Sequence, residues 1–209
     1  MFQGGAVRPQ AFDGVYRRRS ANAELAAFDA RCLEPRLAAL DCGAYLDAEQ
    51  IERHAALVGA ALDAAHAGDG DRERRLLDLG CGTGGYGVLL GERARADLVG
   101  IDFSGVAIRL ARERHAARRV SFYTGTFART GLPDAYAGAC ISIDALYLER
   151  DRAAALAELR RVLRPGAALI FTAFGPLAGA HGSRDADRRP WAPFLARAGF
   201  ALAAERDIS

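Results

Sequence analysis

The stretch Leu76–Gly85, which reads LLDLGCGTGG, decides the fold of this 209-residue chain. Its first four residues are apolar apart from Asp78, as in a short buried strand, and four of the next six are glycine. Glycine lets the main chain approach a ligand closely, and the N-terminus of a helix presents free N–H groups to it. The stretch therefore predicts a strand, a ligand-binding turn and a helix in direct succession.

On the carboxyl side of this stretch, short apolar runs alternate with amphipathic segments. The predicted strands cover residues 75–79, 98–102, 120–124, 138–143 and 167–173, with a weaker strand over 200–208. The predicted helices cover residues 85–95, 104–114, 152–163 and 189–198. This alternation predicts an α/β fold, a Rossmann-like and mostly parallel sheet with helices on both faces, whose ligands bind in the loops that follow the strands.

The N-terminal third of the chain is predicted to be helical. Apolar residues at three- and four-residue spacing predict helices over 21–40 and 48–67, the second capped by Asp47. We expect residues 1–70 to form a helical cover that supplies much of the substrate pocket, and residues 71–209 to form the Rossmann-like domain, the two making one compact unit. The aromatic residues available to line the pocket are Phe12, Tyr16 and Tyr45, whereas Phe28 is expected in the core.

Composition is typical of an ordinary globular protein. Hydrophobic residues make up 51% and charged residues 26% of the chain, which excludes disordered and collagen-like classes. No run approaches the roughly 20 apolar residues that span a bilayer, and the start MFQGGAVRPQ lacks the apolar core of a secretion signal. We therefore expect a cytoplasmic protein with no membrane partner. Reduced thiols, rather than zinc ligands or disulfides, are expected at Cys32, Cys42, Cys81 and Cys140.

The basic residues do not indicate a nucleic-acid partner. All 28 of them are arginine, the net charge is only +2, and they are spread along the chain beside Asp and Glu. The one tight run, 17–19, is typical of a solvated helix face. We expect no nucleic acid among the partners.

Asp78 helps to choose the ligand of the glycine loop. The glycines alone satisfy both the GxGxxG pattern of dinucleotide sites and a GxGxG pattern, so they leave NAD open. A carboxylate two residues before the first glycine would repel a pyrophosphate, but it suits the ammonium of an amino-acid moiety. S-adenosylmethionine carries such an ammonium together with a sulfonium, and Asp78 matches it better than it matches NAD.

Asp102 is the second signal, because it ends the apolar run VGID 18 residues after Gly84. A carboxylate at this place accepts hydrogen bonds from both ribose hydroxyls of a nucleoside. Phe103 then offers an apolar surface to an adenine ring. A helix cap is the alternative role for Asp102, but Ser104 can cap the next helix unaided.

The residues 75–208 resemble the class I S-adenosylmethionine-dependent methyltransferases, specifically their small-molecule branch. The pieces that carry the resemblance are LDLGCGTGG, VGIDFSGVAI, FYTGTFARTGLPD, ISIDALYLERD and LRRVLRPGAALIFTAF. The resemblance implies that Gly80, Gly82 and Gly84 line the methionine portion of the cofactor and that Asp102 holds the ribose. Cys81 lies in the same cofactor-binding loop, where a small side chain fits between the glycines.

The loops after the third and fourth strands complete the expected cofactor site. The family usually has Gly-Asp after the third strand, whereas this chain has Gly125, Thr126 and Phe127, so that a hydroxyl or main-chain amide replaces the carboxylate at the adenine. The resemblance also implies that Ser142 and Ile143 lie near the transferred methyl. No proline stands in this segment, which argues against the enzymes that methylate amino groups of nucleobases or of glutamine.

Three residues are candidates for a catalytic role. Asp144 is the best placed by sequence, Tyr147 follows it, and His181 lies in the glycine-rich loop after the fifth strand. A structural role for Asp144 in bonding loop main chain is an equal alternative, and His181 also fits an ordinary exposed loop residue. No metal is expected, because the other histidines lack acidic or cysteine partners at ligand spacing.

We predict that the protein transfers a methyl group to a small-molecule acceptor, by in-line displacement, in specialised metabolism. A non-catalytic S-adenosylmethionine-binding module and an NAD-dependent oxidoreductase are the alternatives. RNA or protein methylation is disfavoured by the scattered arginines.

The family's sheet normally ends in an antiparallel hairpin, and this chain stops where the first of its two strands is predicted. A truncated chain, an unusually short natural chain and a partner that supplies the edge are three explanations. We favour truncation, since an unpaired apolar edge strand promotes association. We expect such a chain to form a homo-dimer or to behave poorly in solution.

Overall fold

The computed structural model describes residues 9–22, 48–66, 73–116, 119–173 and 190–206. Its helices are α1 (Pro9–Ala21), α2 (Ala48–His66), α3 (Gly85–Ala94), α4 (Gly105–Arg114), α5 (Arg152–Val162) and α6 (Ala192–Arg197). Its strands are β1 (Arg75–Leu79), β2 (Asp97–Asp102), β3 (Val120–Thr124), β4 (Ala137–Ser142) and β5 (Leu163–Phe171). A short 3₁₀ turn, Leu146–Leu148, lies between β4 and α5.

The five strands form one parallel sheet in the order β3-β2-β1-β4-β5. The chain moves outward from β1 through β2 to β3, then crosses back to place β4 on the other side of β1. This reversal opens a crevice at the carboxyl ends of β1 and β4, where α/β sheets bind their ligands. The predicted Rossmann-like fold is confirmed.

Helices cover both faces of the sheet, and alternate residues of each strand point to opposite faces. Leu76 packs with α2, α3 and α4 on one face, and Leu77 packs with α5 and α6 on the other. Burying one such leucine contributes roughly 1.5–3 kcal/mol, so the two apolar layers fix the strand register. Since α2 contributes Ile51 and Leu62 to the first layer, it shares a core with the sheet. A domain division at 70/71 stays a prediction.

Arg164 joins the amino ends of the strands. Its side chain is buried, and Nη2 donates to the carbonyls of Glu73, 3.2 Å away, and of Tyr136, 3.4 Å away. Nη1 lies 3.4 Å from Nε2 of His66, at the C-terminal end of α2. One guanidinium thereby ties β1, β4 and α2 together at the rim opposite the crevice.

Three sequence-based boundaries need correction at the C-terminal side. β5 begins at Leu163 rather than 167, because Pro165 and Gly166, with φ +79°, form an irregularity within an edge strand instead of a turn before it. The last helix is shorter than 189–198, since Pro193 stands in its first turn and Gly199, with φ +79°, follows its end.

The predicted strand over 200–208 is wrong for residues 200–206, which adopt no regular structure. The main-chain N–H of Phe200 donates to the carbonyl of Leu195, and the Phe200 ring packs on the core layer of α5 and α6. Residues 201–206 are exposed. Phe200 therefore docks the end of α6, and residues 200–206 do not extend the sheet.

The N-terminal segment also differs from the prediction. Helix α1 forms over Pro9–Ala21, where apolar periodicity predicts no helix and only the arginine run 17–19 indicates a helix face. Residues 23–47, which include most of the predicted helix over 21–40 and the predicted cap Asp47, lie outside the described residues. Asp13 of α1 accepts hydrogen bonds at the start of α4, from Ser104 Oγ at 2.5 Å and Val106 N at 3.5 Å. Tertiary contact rather than local propensity holds α1. Within the described ranges, no helix combines the length and apolar composition that a membrane crossing requires.

Candidate cofactor and acceptor site

A cavity of about 390 Å³ opens at the carboxyl ends of the strands. The loops after β1, β2, β3 and β4 form its floor and walls, and Phe12 and Tyr16 of α1 close one side. The crevice that the glycine loop predicts is therefore open rather than filled by its own side chains. Its size and concave shape are typical of a small-molecule site.

The glycine loop forms the floor of this cavity in left-handed backbone. Gly80 has φ +83° and Gly82 has φ +54°, a region that favours glycine. A Cβ at Gly80 would lie 2.5 Å from the Cβ of Ala145, and one at Gly82 would lie 2.9 Å from the hydroxyl of Tyr16. Bare main chain is thus required by the neighbouring walls as well as by the turn.

Asp102 lies buried at the end of β2 and lines the cavity. Its Oδ2 accepts from the N–H of Gly82 at 2.9 Å, and its Oδ1 accepts from the N–H of Ser104 at 2.8 Å. Main-chain donors therefore hold the carboxylate in place at the cavity wall. Burial raises the pKa of Asp102, while the main-chain donors of Ser104, Gly82 and Phe103 oppose the rise.

Ser104 caps α4, as the sequence indicates. Its Oγ accepts from the N–H of Ala107 at 3.1 Å, in the geometry of a helix N-cap. Asp102 is therefore not needed to cap the helix. Its position is consistent with the predicted ribose role.

Asp78 is buried in β1 beneath the same cavity, which it also lines. Burial, then the nearby carboxylate of Asp102, raises the pKa of Asp78 to about 8, and a hydrogen bond from Gly87 N opposes them. A Cβ at Gly87 would meet Oδ2 of Asp78 at 2.3 Å, so only glycine lets helix α3 sit over this carboxyl. The group therefore holds a proton at neutral pH unless a cation approaches it.

The aromatic wall beside Asp102 is built from three segments of the chain. The ring of Phe103 meets the ring of Phe12 from α1 edge-on, with centroids 5.2 Å apart, and both line the cavity. Phe127 closes the wall from the loop after β3 and lies against the floor at Gly80. This flat apolar slot beside a carboxylate is compatible with an adenine next to its ribose.

The remaining predicted cofactor residues divide into two groups. The cavity wall includes Cys81, Gly125, Thr126 and Ile143. Gly84 and Ser142 do not line it: Gly84 faces Phe122, and the hydroxyl of Ser142 donates to the carbonyl of Leu79 beneath the floor, 2.7 Å away. Burial raises the pKa of the Cys81 thiol, which therefore stays protonated.

Asp144 lines the cavity in a strained conformation, with φ +51°. Thr172, just after β5, holds it at two points: Asp144 N donates to Thr172 Oγ1 at 2.7 Å, and Thr172 Oγ1 donates to Asp144 Oδ1 at 2.9 Å. Such strain persists where surrounding contacts fix it, commonly at functional sites. Tyr147 does not line the cavity, and burial, followed by Asp144, raises its pKa. His181 lies outside the described residues.

One pair of polar residues was missed by sequence reasoning. Nδ1 of His54, on α2, lies 2.6 Å from the hydroxyl of Tyr86, which lines the cavity from the first turn of α3. Tyr86 directly follows the glycine loop, and this position is a signal that could have identified it. Its pairing with His54, 32 residues earlier, has no signature in the sequence.

A parallel sheet, a glycine turn after β1 and a carboxylate after β2, all beside one cavity, are features with which α/β proteins bind nucleoside cofactors. Comparison with known proteins makes the class more specific. Residues 77–171 match the family model described as a methyltransferase domain.

The curated relatives that the chain matches include methyltransferases. The chain is 32% identical over 130 residues to malonyl-[acyl-carrier protein] O-methyltransferase of Serratia marcescens, covering 62% of this chain and 48% of that protein. It is 37% identical over 106 residues to demethylmenaquinone methyltransferase of Deinococcus radiodurans, covering 49% and 44%. The chain thus spans about half the length of these relatives.

Among solved structures, the [4+2]-cyclase SpnF matches with a TM-score of 0.57 and 27% identity, over 72% of this chain and 57% of that one. Residues 77–171, which include most of the glycine loop and Asp102, are thus similar to methyltransferase domains.

Proposed function

We propose that this protein is an enzyme that binds S-adenosylmethionine and transfers its methyl group to a small-molecule acceptor. The observation that carries the proposal is Asp102, a buried carboxylate that lines the cavity and is not needed as a helix cap. A buried carboxylate in this place suits a ribose diol. The methyltransferase relatives support the reaction class.

The donor set of the cavity fits this cofactor. Asp78 lies beneath the floor of bare main chain, Asp102 is hydrogen-bonded to that floor at Gly82, and Phe103 offers an apolar face beside Asp102. A ligand with an ammonium at one end and a nucleoside at the other matches these groups in order. We propose that Asp78 faces the ammonium, Asp102 the ribose and Phe103 the adenine.

The chain's own contribution to the reaction is mainly orientation. When bound, the cofactor supplies a methyl group that a sulfonium already activates. The protein must align the acceptor with the sulfur–carbon bond, and such alignment is worth roughly 7–11 kcal/mol. Asp144, fixed by Thr172 at the cavity wall, is a candidate to orient the acceptor. Phe12 and Tyr16 restrict entry of water from the side of α1.

Calorimetry with S-adenosylhomocysteine tests the proposal directly. We expect the wild-type protein to bind it and to ignore NADH. In Asp102→Ala the nucleoside loses two hydrogen bonds to a charged group, each worth about 1.5–3 kcal/mol, so affinity should fall about 100-fold or more. Asp97→Ala, at the other end of β2, should bind as wild type does. Equal affinity in Asp102→Ala would refute the assignment.

The biological setting is a further part of the proposal. The relatives named above are methyltransferases of an acyl carrier protein conjugate and of a quinone precursor, which supports a metabolic rather than a nucleic-acid acceptor. We propose that the protein works in the cytoplasm, in specialised metabolism. Fractionation of the source cells and metabolite profiling after deletion of the gene would test the two statements.

A cyclisation is the second candidate, because a structural neighbour above 25% identity is a [4+2]-cyclase. A non-catalytic cofactor-binding module is the third. Incubation with cofactor carrying a labelled methyl separates the three. Label in an acceptor supports methyl transfer, an isomerised acceptor without label supports cyclisation, and neither change supports a binding module.

A further inference from the structure

We propose that Tyr86 and His54 form a proton relay for the acceptor, and that the acceptor is therefore a hydroxyl compound, such as a phenol or an enol, rather than a carboxylate. This inference rests on the proposed methyl transfer. It deepens that proposal by naming the acceptor class.

Geometry brings the pair to the cavity from two different helices. Tyr86 lies in the first turn of α3, beside the glycine loop, and its hydroxyl contacts Nδ1 of His54 at 2.6 Å. The two rings meet edge-on, with centroids 6.1 Å apart. Helix α2 packs along α3 and β4, and Tyr86 lines the cavity whereas His54 is not among its lining residues. Tyr86 is thus the group that can touch an acceptor, and His54 acts through it.

The charges around His54 favour the neutral imidazole as the resting form. Burial lowers the pKa of His54 from its usual 6.5, Arg53 lowers it further, and Asp144 raises it. Arg53 is itself paired with Glu49, at 2.5 Å, one turn earlier on α2. At pH 7 the imidazole therefore has a lone pair to accept a proton, and the Asp144 carboxylate lies near enough to stabilise the cation that results.

Proton transfer and methyl transfer are coupled in the proposed step. The acceptor hydroxyl gives its proton to the oxygen of Tyr86 while the proton of Tyr86 passes to Nδ1 of His54. The freed acceptor oxygen forms the bond to the methyl carbon, and the electrons of the broken sulfur–carbon bond return to sulfur. Positive charge leaves sulfur and appears on the imidazolium of His54.

The charge of the cavity wall supports the same acceptor class. Among the described residues, its carboxyl and guanidinium side chains are Asp78, Asp102, Asp144, Glu149 and Arg150, and Asp78 holds a proton at neutral pH. The other three carboxylates against one guanidinium disfavour an anionic acceptor. A carboxylate acceptor would also need no base, because it is already deprotonated at neutral pH. A relay beside an acidic wall therefore suits an acceptor that must lose a proton, such as a neutral hydroxyl, better than a carboxylate.

The test uses 2-naphthol and 2-naphthoate, which share one ring system, with cofactor carrying a labelled methyl. We expect at least tenfold faster transfer to 2-naphthol. Tyr86→Phe should lower that rate by about 10²-fold or more, within the range for loss of a positioned acid–base group. His54→Gln should lower it too and remove the fall in rate that the wild type shows as pH drops below 6.5. Affinity for S-adenosylhomocysteine should change less than twofold in both.

Matched controls are Tyr123→Phe, an exposed tyrosine on β3, and His66→Gln, at the other end of α2. Both should keep the wild-type rate. Any of three results would overturn the relay. These are a preference for 2-naphthoate, an unchanged rate in Tyr86→Phe, and cofactor binding with methyl transfer to neither probe. Failure to bind S-adenosylhomocysteine would instead overturn the proposed function, and this inference with it. If a variant does not fold, NMR titration of the wild-type histidines decides, since a His54 protonated at pH 7 contradicts the relay.

Discussion

At the scale of single residues, Asp78 has the most unusual chemistry. Burial and the Asp102 carboxylate raise its pKa from 3.8 to about 8. Between these two values the folded protein holds a proton on Asp78 that the unfolded chain has lost. The unfolded state therefore binds fewer protons in this window, and the contribution of Asp78 to stability falls as pH rises from about 4 to 8.

Thermal melting tests the predicted loss of stability with rising pH. We expect the difference in melting temperature between Asp78→Asn and the wild type to shift in favour of the variant from pH 5 to pH 8, because the amide cannot ionise. Comparing the two proteins cancels the other titrating groups, including Glu158, whose pKa is lowered to about 2 by hydrogen bonds from Arg161. Melting curves that stay parallel across this range would contradict the prediction.

The same proton links cofactor affinity to pH. An ammonium group favours the ionised form of Asp78, so binding of S-adenosylhomocysteine below pH 8 must release a proton. We expect affinity to rise up to tenfold per pH unit between pH 6 and 8, and calorimetry in buffers of different ionisation enthalpy to detect the released proton. Asp78→Asn should bind more weakly and lose most of this dependence.

The sequence made the residues of the cofactor floor predictable because they are contiguous with buried strands. Asp78 and Asp102 each stand in an apolar run next to a turn, and Ser104 has an ordinary capping position. The pairing of His54 with Tyr86 was not predictable, since it depends on how α2 packs on α3. Nor did the sequence show that Ser142 points beneath the floor, because strand residues alternate between faces and the register was unknown.

At the scale of elements, helix α1 depends on one carboxylate. Asp13 accepts from Ser104 Oγ and Val106 N at the start of α4, and Phe12 packs on Phe103. Its sequence is rich in arginine and contains Gly14, which explains why apolar periodicity did not predict it. Sequence periodicity finds helices that pack by an apolar stripe and misses those held by specific polar contacts.

We expect Asp13→Ala to loosen α1 without unfolding the sheet. Loss of the hydrogen bonds to Ser104 and Val106 costs about 1–3 kcal/mol, which corresponds to a 5- to 150-fold increase in local opening. Hydrogen exchange of residues 9–22 measures this opening, and exchange in β1 should stay unchanged. Arg17→Ala, an exposed residue of the same helix, is the control. Equal exchange of α1 in both variants would show that Asp13 does not hold it.

At the scale of the whole molecule, the sheet ends at β3 and β5. Among the described residues no strand pairs with the outer side of β5, whose residues 167–171 are partly exposed. A strand with unpaired N–H and carbonyl groups invites pairing with a second chain. The expectation of a homo-dimer stays a prediction with this edge as its proposed interface.

Sedimentation over a range of concentrations tests that interface. We expect association that weakens in Ala168→Lys, because a charge on an edge strand opposes edge-to-edge pairing. Arg109→Lys, on the exposed face of α4, should associate as the wild type does. A wild-type protein that stays monomeric at every concentration and melts cooperatively would contradict the prediction.

Arg164 has a consequence for how ligands reach the cavity. It fastens two strands and one helix at the amino rim, whereas the carboxyl rim is made of loops and of a helix held by one carboxylate. We therefore expect thermal motion to open the carboxyl rim more readily than the amino rim. We expect ligands to enter and leave through the carboxyl rim, so that its loops determine which ligands bind and how quickly they dissociate.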